Sequence, residues 1–218
     1  TRNGQSGKLS KSSILEDYKL AVISREASIL GRKEVLTGKA KFGIFGDGKE
    51  LPQIAMARQF RNGDFRAGYY RDQTLMMAIG QLSLKQFFAQ LYAHPDITQE
   101  PHSGGRQMSS HYATRSLNQD GTWKNLLEMK NSSADISPTA GQMARLIGLA
   151  YASKIYRNHD GIEQPNKFSD NGNEVAFGTI GDSSTSEGIF WEAVNAAGVL
   201  GIPMVLSVYD DGYGISVS

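Results

Sequence analysis

Two short apolar runs joined by one helix-length segment constrain this chain more than any other feature. Residues 175–180 read as a buried strand, 186–200 as a helix and 204–209 as a second strand, all within about 35 residues. That order is the βαβ unit, whose right-handed crossover makes the two strands parallel and lays the helix on a sheet face. The expected fold is therefore α/β, a parallel sheet flanked by helices. The first strand ends in Gly181-Asp182 and the second in Asp210-Asp211-Gly212-Tyr213-Gly214. Ligands of open α/β sheets bind outside the carboxyl ends of the strands, so Asp182 and Asp211 are expected to converge. If the strands are neighbours, about 4.8 Å apart, both carboxylates can reach one hard cation. A plainer reading stays open, in which Asp182 caps the following helix and Asp210-Asp211-Gly212 is only a turn.

The rest of the chain supplies helices and one long irregular stretch. Ser13-Ile14-Leu15-Glu16 has capping-box spacing and predicts a helix over 13–34, with Leu15, Tyr18, Val22 and Ile29 as an apolar stripe against the body or a partner. Further helices are expected at 52–60, with Pro52 in the first turn, and at 72–79, 84–92 and 138–157. Residues 95–131 are rich in glycine and serine without clear periodicity, and 158–173 form a polar loop. Residues 1–12 are polar and basic and are expected to be a mobile arm, leaving 13–218 as one partial domain. The start at Thr1 and the stop at Ser218, directly after a strand-like run, give the expectation of a piece of a longer protein, incomplete at its carboxyl terminus.

Composition removes several functions. With 23 Lys and Arg against 22 Asp and Glu, there is no net field to concentrate nucleic acid. The absence of cysteine excludes disulfides, thiolate metal sites and a thiol nucleophile, and fits a cytoplasmic setting. No run approaches the roughly 20 apolar residues of a membrane helix, so neither membrane nor nucleic acid is an expected partner.

Gly181-Asp182-Ser183-Ser184-Thr185-Ser186-Glu187-Gly188, then Glu192-Ala193-Val194-Asn195-Ala196-Ala197, Ile202-Pro203 and Asp210-Asp211-Gly212-Tyr213-Gly214-Ile215-Ser216, resembles the thiamine-diphosphate motif that opens Gly-Asp-Gly and closes Asn-Asn. Three upstream segments follow in the same family's order: Gly68-Tyr69-Tyr70-Arg71-Asp72, Gly105-Arg106-Gln107-Met108-Ser109-Ser110-His111-Tyr112, and Ser137-Pro138-Thr139-Ala140-Gly141-Gln142 leading into Gly148-Leu149-Ala150-Tyr151-Ala152. Together they resemble the alpha-type first component of 2-oxo-acid dehydrogenase complexes, the branched-chain enzyme above all. The resemblance implies a thiamine-diphosphate-binding fold, thiamine diphosphate and Mg²⁺ as cofactors, and oxidative decarboxylation of a 2-oxo acid with acyl transfer to a lipoyl group. It implies as partners a beta-type chain or fused beta-type domain, which supplies the activating glutamate, and a lipoyl-bearing acyltransferase core, within an oligomer. On its own the 218-residue chain is then expected to be inactive.

Residue by residue, the resemblance gives Asp182 and Asp211 to Mg²⁺ by their side chains and Tyr213 by its carbonyl, and Tyr70 and Arg71 to the diphosphate. Gly181 and Ser183 fall in the opening motif, and Ser137 and Thr139 in the segment that meets the aminopyrimidine. His111 stands either as a polar loop residue or as an active-site neighbour, and is the catalytic candidate. His94, His102 and His159 lack metal-ligand spacing and read as structural or solvated, while Met76-Met77 and Phe87-Phe88 read as core. The chain departs from the family pattern with Ser183 for glycine, Asp211 for asparagine and Thr139 for a larger apolar residue. The extra negative charge of Asp211 calls for a compensating cation, with Arg71 the expected one. Rival readings are another thiamine-diphosphate enzyme, such as an acetoin dehydrogenase or a transketolase-like protein, a magnesium-dependent phosphotransfer protein, or a non-catalytic Mg-binding scaffold.

Overall fold

A computed structural model describes residues 10–159, 161–162 and 165–218. Residues 1–9 of the expected arm lie outside the described residues, but its end does not behave as an arm. Ser10 caps helix α1 (Lys11–Leu36), its Oγ accepting the Ser13 amide at 3.1 Å. The helix starts before Ser13 because Ser10 satisfies the free amide, while the Ser13 hydroxyl donates back to the Ser10 carbonyl at 2.9 Å. The expected stripe does not pack on the body, since Leu15, Tyr18, Val22 and Ile29 are exposed, which leaves the partner alternative. The buried face carries Ser24, Ala27, Ser28, Gly31 and Glu34, small residues for the most part, which let the helix approach its neighbours closely. A Cβ on Gly31 would lie 2.4 Å from the Phe45 ring.

Helix α2 (Glu50–Ala57) keeps Pro52 within its first turn, where no intrahelical amide bond is lost. Helices α3 (Gln73–Ala78) and α4 (Leu84–Leu91) fall where expected, the latter closed by a capping box between Ser83 and Gln86. Helix α5 (Gln142–Asn158) starts later than expected because residues 138–141 close a turn, the Gly141 amide donating to the Pro138 carbonyl. A single helical turn, α6 (Pro165–Phe168), sits in the expected polar loop. Strand β3 (Ala176–Gly181), helix α7 (Gly188–Leu200) and strand β4 (Met204–Tyr209) form the expected βαβ unit. Gly201 ends α7 in the left-handed region at φ 57°, as C-cap glycines do.

Two strands had no sequence signal: β1 (Phe65–Ala67) and β2 (Asn131–Ser132), the second inside the stretch expected to be irregular. The sheet is parallel throughout, in the order β2-β1-β3-β4. Its faces follow strand alternation. Phe177 joins a core with Phe45, Phe60, Leu75, Met76 and Phe87 on the side of α1 to α4, which confirms Met76 and Phe87 as core residues. Ala176 and Ile180 point the other way, to Met143, Leu146 and Ala150 of α5 and Phe190 of α7. Gly178 belongs to this second face, where a Cβ would meet Leu146 Cδ2 at 2.2 Å, so only glycine lets α5 sit so near the strand. No helix of the described residues is long and apolar enough to cross a membrane.

Candidate cofactor-binding site

Direct pairing of β3 with β4 brings the two acidic motifs together. Gly181 stands in register with Tyr209, and the Asp182 amide continues the ladder to the Tyr209 carbonyl at 3.1 Å. Asp182 opens a short 3₁₀ turn (Ser183–Ser186) and makes no side-chain capping bond, so the helix-cap reading does not hold. Asp210-Asp211-Gly212 does turn, with Gly212 at φ 72° and its amide on Asp210 Oδ1 at 3.1 Å. The turn brings Asp211 into a cleft of about 260 Å³ that Tyr70, Arg71, Thr139, Gly181, Asp182, Ser183 and Tyr213 also line. Asp211 Oδ1 accepts the Tyr213 amide at 3.2 Å.

Tyr70 and Arg71 come from the turn after β1, and a buried ionic cluster holds that turn. The Arg66 guanidinium, fully buried, donates to Asp72 Oδ2 at 2.7 Å and to both oxygens of Asp135 at 3.0 Å. It also reaches Ser132 Oγ at 2.8 Å and the Tyr69 carbonyl at 3.2 Å, while the Tyr69 amide donates to Thr179 Oγ1 at 3.1 Å. One cation between two buried carboxylates leaves an excess negative charge, and burial raises both acids, Asp135 to about 6. Gly68 completes the arrangement, since a Cβ there would lie 2.1 Å from Asp72 Oδ2. Arg71 itself donates to the Phe45 carbonyl at 2.6 Å, with its guanidinium 5.5 Å from the Tyr70 ring centroid.

His111 lies one layer behind the cleft, and Ser137, which is exposed, stands beside the cleft rather than in its lining. His111 is only 2% exposed, its ring stacks on Tyr70 with centroids 6.5 Å apart, and its Nε2 bonds Ser137 Oγ at 3.0 Å. Any influence of His111 on the cleft therefore passes through Tyr70. His102 is structural, as expected: it is bonded to the Ala113 carbonyl at 2.8 Å and packed edge-on to Tyr112, and burial holds its pKa down.

The sequence reading missed Lys49. Its Nζ donates to Asp211 Oδ2 at 2.9 Å, and its side chain is 10% exposed against 52% for Asp211. The bond to Lys49 holds the Asp211 carboxyl below the usual aspartate range; Lys49 is thus the main compensating cation beside Asp211, and the expected Arg71 adds a smaller contribution. The available signal was Gly46-Asp47-Gly48-Lys49-Glu50, a turn-rich segment carrying a lysine just before a helix.

The family model of the dehydrogenase E1 component matches residues 18–218. The chain belongs to that family. It is 28% identical over 182 residues to the alpha subunit of 2-oxoisovalerate dehydrogenase from Bacillus subtilis, covering 83% of this chain and 46% of the relative. It is 26% identical over 213 residues to the alpha subunit of the pyruvate dehydrogenase E1 component from Acholeplasma laidlawii, covering 96% and 49%. A mitochondrial 2-oxoisovalerate dehydrogenase alpha subunit of Arabidopsis thaliana is 26% identical over 179 residues, covering 82% and 31%. The chain thus spans less than half the length of each of these relatives.

The cleft of this E1 chain has the chemistry for a phosphate-bound hard cation. Two carboxylates and a backbone carbonyl are oxygen ligands of the kind Mg²⁺ takes, with coordination places left for phosphate oxygens and water. Among the described residues no group of three or more His, Asp or Glu gathers into a metal cage, and two carboxylates with phosphate need none. Ser183 is accommodated as well: a Cβ on Gly214 would lie 2.7 Å from its Oγ, so the glycine leaves room for the serine side chain.

Proposed function

We propose that this chain provides the diphosphate and Mg²⁺ side of a thiamine-diphosphate site in the alpha component of a 2-oxo-acid dehydrogenase, of the branched-chain type. The observation that carries the reading is the parallel register of β3 on β4, which puts Asp182 and Asp211 in one cleft with Arg71 and Tyr70. When bound, the cofactor supplies the nucleophilic carbon and electron sink for loss of CO₂. Asp182, Asp211 and the Tyr213 carbonyl hold the metal, and Arg71 offers its planar fork and Tyr70 its hydroxyl to phosphate oxygens. Ser137 and Thr139 face the aminopyrimidine, and His111 fixes Tyr70 and Ser137 from behind. A beta-type chain or domain completes the active site, and the acyl group passes to a lipoyl-bearing acyltransferase core. The branched-chain assignment draws on the Bacillus subtilis and Arabidopsis thaliana relatives.

The test is calorimetric titration of the protein with thiamine diphosphate, with and without Mg²⁺, for wild type and Asp182→Asn. Binding that needs Mg²⁺ and weakens at least tenfold in the variant supports the reading. No binding by wild type would overturn it in favour of a non-catalytic scaffold. Turnover of 2-oxoisovalerate against pyruvate, with the beta partner present, decides the substrate.

A further inference from the structure

Lys49 and Asp211 sit 162 positions apart in the chain and meet as a single close ion pair at the rim of the cleft. Their environments are unequal. Lysine is among the residues least often buried without a partner, yet Lys49 has only a tenth of its side chain exposed. Its ammonium donates to Asp211, which itself stays half exposed toward the cleft. Lys49 stands at the N-terminal boundary of α2, and the loop before it is held independently: Glu50 accepts the Gly48 amide at 3.1 and 3.2 Å and Arg25 at 2.7 and 2.8 Å. The loop is thus fastened by the neighbouring carboxylate, and the lysine is left to answer the charge of Asp211. A carboxylate engaged by one ammonium and one amide keeps lone pairs for a further ligand. Asp182 and Asp211 against Arg71 and Lys49 make the cleft neutral overall. Without Lys49 it would present net negative charge to a polyanion.

We infer that Lys49 is a cofactor-affinity residue acting through Asp211, the pair serving as an electrically neutral ligand unit that lets a carboxylate stand next to a diphosphate. The inference rests on the proposed thiamine-diphosphate site. It predicts a strict coupling: the charge of Lys49 matters only while residue 211 is an aspartate.

The experiment is a double-mutant cycle on the protein, with wild type, Lys49→Met, Asp211→Asn and Lys49→Met/Asp211→Asn, each verified as folded by circular dichroism. Two readouts are used: calorimetric titration with thiamine diphosphate at saturating Mg²⁺, and Mn²⁺ binding by electron paramagnetic resonance in the presence of thiamine diphosphate. Lys49→Met is expected to weaken thiamine-diphosphate binding about tenfold or more, the scale of one uncompensated charge at about 10 Å in an effective dielectric near 20. In the Asp211→Asn background the same substitution is expected to change affinity less than about threefold, because an ammonium that has lost the carboxylate fastening it at the cleft relaxes toward water, where screening removes most of its effect on the diphosphate. Lys49→Gln, which keeps much of the length without charge, replaces Lys49→Met if that variant does not fold. Wild-type-like affinity in the single Lys49 variant overturns the inference, and so does an equal loss in both backgrounds, which would make Lys49 a direct phosphate ligand or a structural residue. Failure of wild type to bind thiamine diphosphate is a different result, and strikes the proposed function itself.

Discussion

Replacing Arg66 by methionine removes the one cation of a fully buried cluster and leaves two carboxylates with the space but not the charge. The guanidinium makes five hydrogen bonds, three of them to Asp72 and Asp135. Deleting one partner of a buried ion pair costs about 3–5 kcal/mol, because the remaining charge stays desolvated. The structure also dictates a pH dependence. Burial raises the Asp135 carboxyl from 3.8 to about 6 even with Arg66 present, and Asp72 moves in the same direction. A raised carboxyl binds its proton more tightly in the folded state, so the native protein holds the extra proton between about pH 4 and 6 and loses stability as pH rises through that window. Without Arg66 both acids rise further, so the upper edge of the window moves up while its lower edge stays at the unfolded-state value. Neutralising them by protonation at pH 5 then removes most of the penalty that ionisation imposes at pH 7.5. Urea unfolding followed by far-ultraviolet circular dichroism should show Arg66→Met destabilised by about 3–5 kcal/mol at pH 7.5 and by about 1–2 kcal/mol at pH 5. A deficit below about 1 kcal/mol at pH 7.5, or the same deficit at both pH values, would refute the reasoning that a buried, charge-deficient cluster holds this part of the fold.

Three other substitutions probe separate levels of the structure. Gly178→Ala drives a methyl into Leu146, which is fully buried and cannot retreat, so a loss of about 1–3 kcal/mol and a lower melting temperature are expected; an unchanged melting temperature would mean that α5 shifts freely. Ser10→Ala should cost roughly 1 kcal/mol of α1 stability by hydrogen exchange and Ser13→Ala clearly less, since Ser10 is the cap; the reverse order would restore the capping box at Ser13. Arg71→Ala should weaken thiamine-diphosphate binding more than Arg71→Lys, which keeps the charge but not the fork, and equal, unchanged affinities would remove Arg71 from the site.

What the sequence reveals and what it hides divide along the line between local and non-local causes. The β3-α7-β4 unit is legible because its apolar runs, its helix length and its closing glycine are all contained in the segment itself. Asp182, Asp211 and Tyr213 are placed by that unit, so their convergence follows from the reading. Strand β1 is illegible for the opposite reason. Its central residue is Arg66, whose burial makes sense only once Asp72 and Asp135, the latter 69 positions away, close around it. Lys49 was hidden in the same way by a partner 162 positions on. In α1 the apolar stripe is not the face that packs on the body, and nothing local in the sequence marks the face that does. Gln73 instead donates to the Ser24 carbonyl at 2.9 Å and to Ser28 Oγ at 2.8 Å, so a polar, small-residue face is the one that packs.

The strand order explains why these hidden elements matter to the site. From β1 the chain crosses to β2 on one side, then returns to place β3 on the other side of β1, with β4 beyond it. The order reverses between β1 and β3, and at such a switch point the loops leaving the two strands part and open a crevice. The loop after β1 carries Tyr69, Tyr70 and Arg71, and the turn after β3 carries Asp182 and Ser183, all of which line the cleft. The two loops need a common reference, and Thr179 provides it: this β3 side chain bonds both the Tyr69 amide and the Asp72 carboxylate. Tyr70 and Arg71 on one loop and Asp182 on the other are thereby held in register from beneath, by a residue that does not itself line the cleft. A loosened Arg66 cluster would therefore move Arg71 relative to Asp182 before it unfolded the sheet, and cofactor affinity should fall at denaturant concentrations where the far-ultraviolet signal is still native.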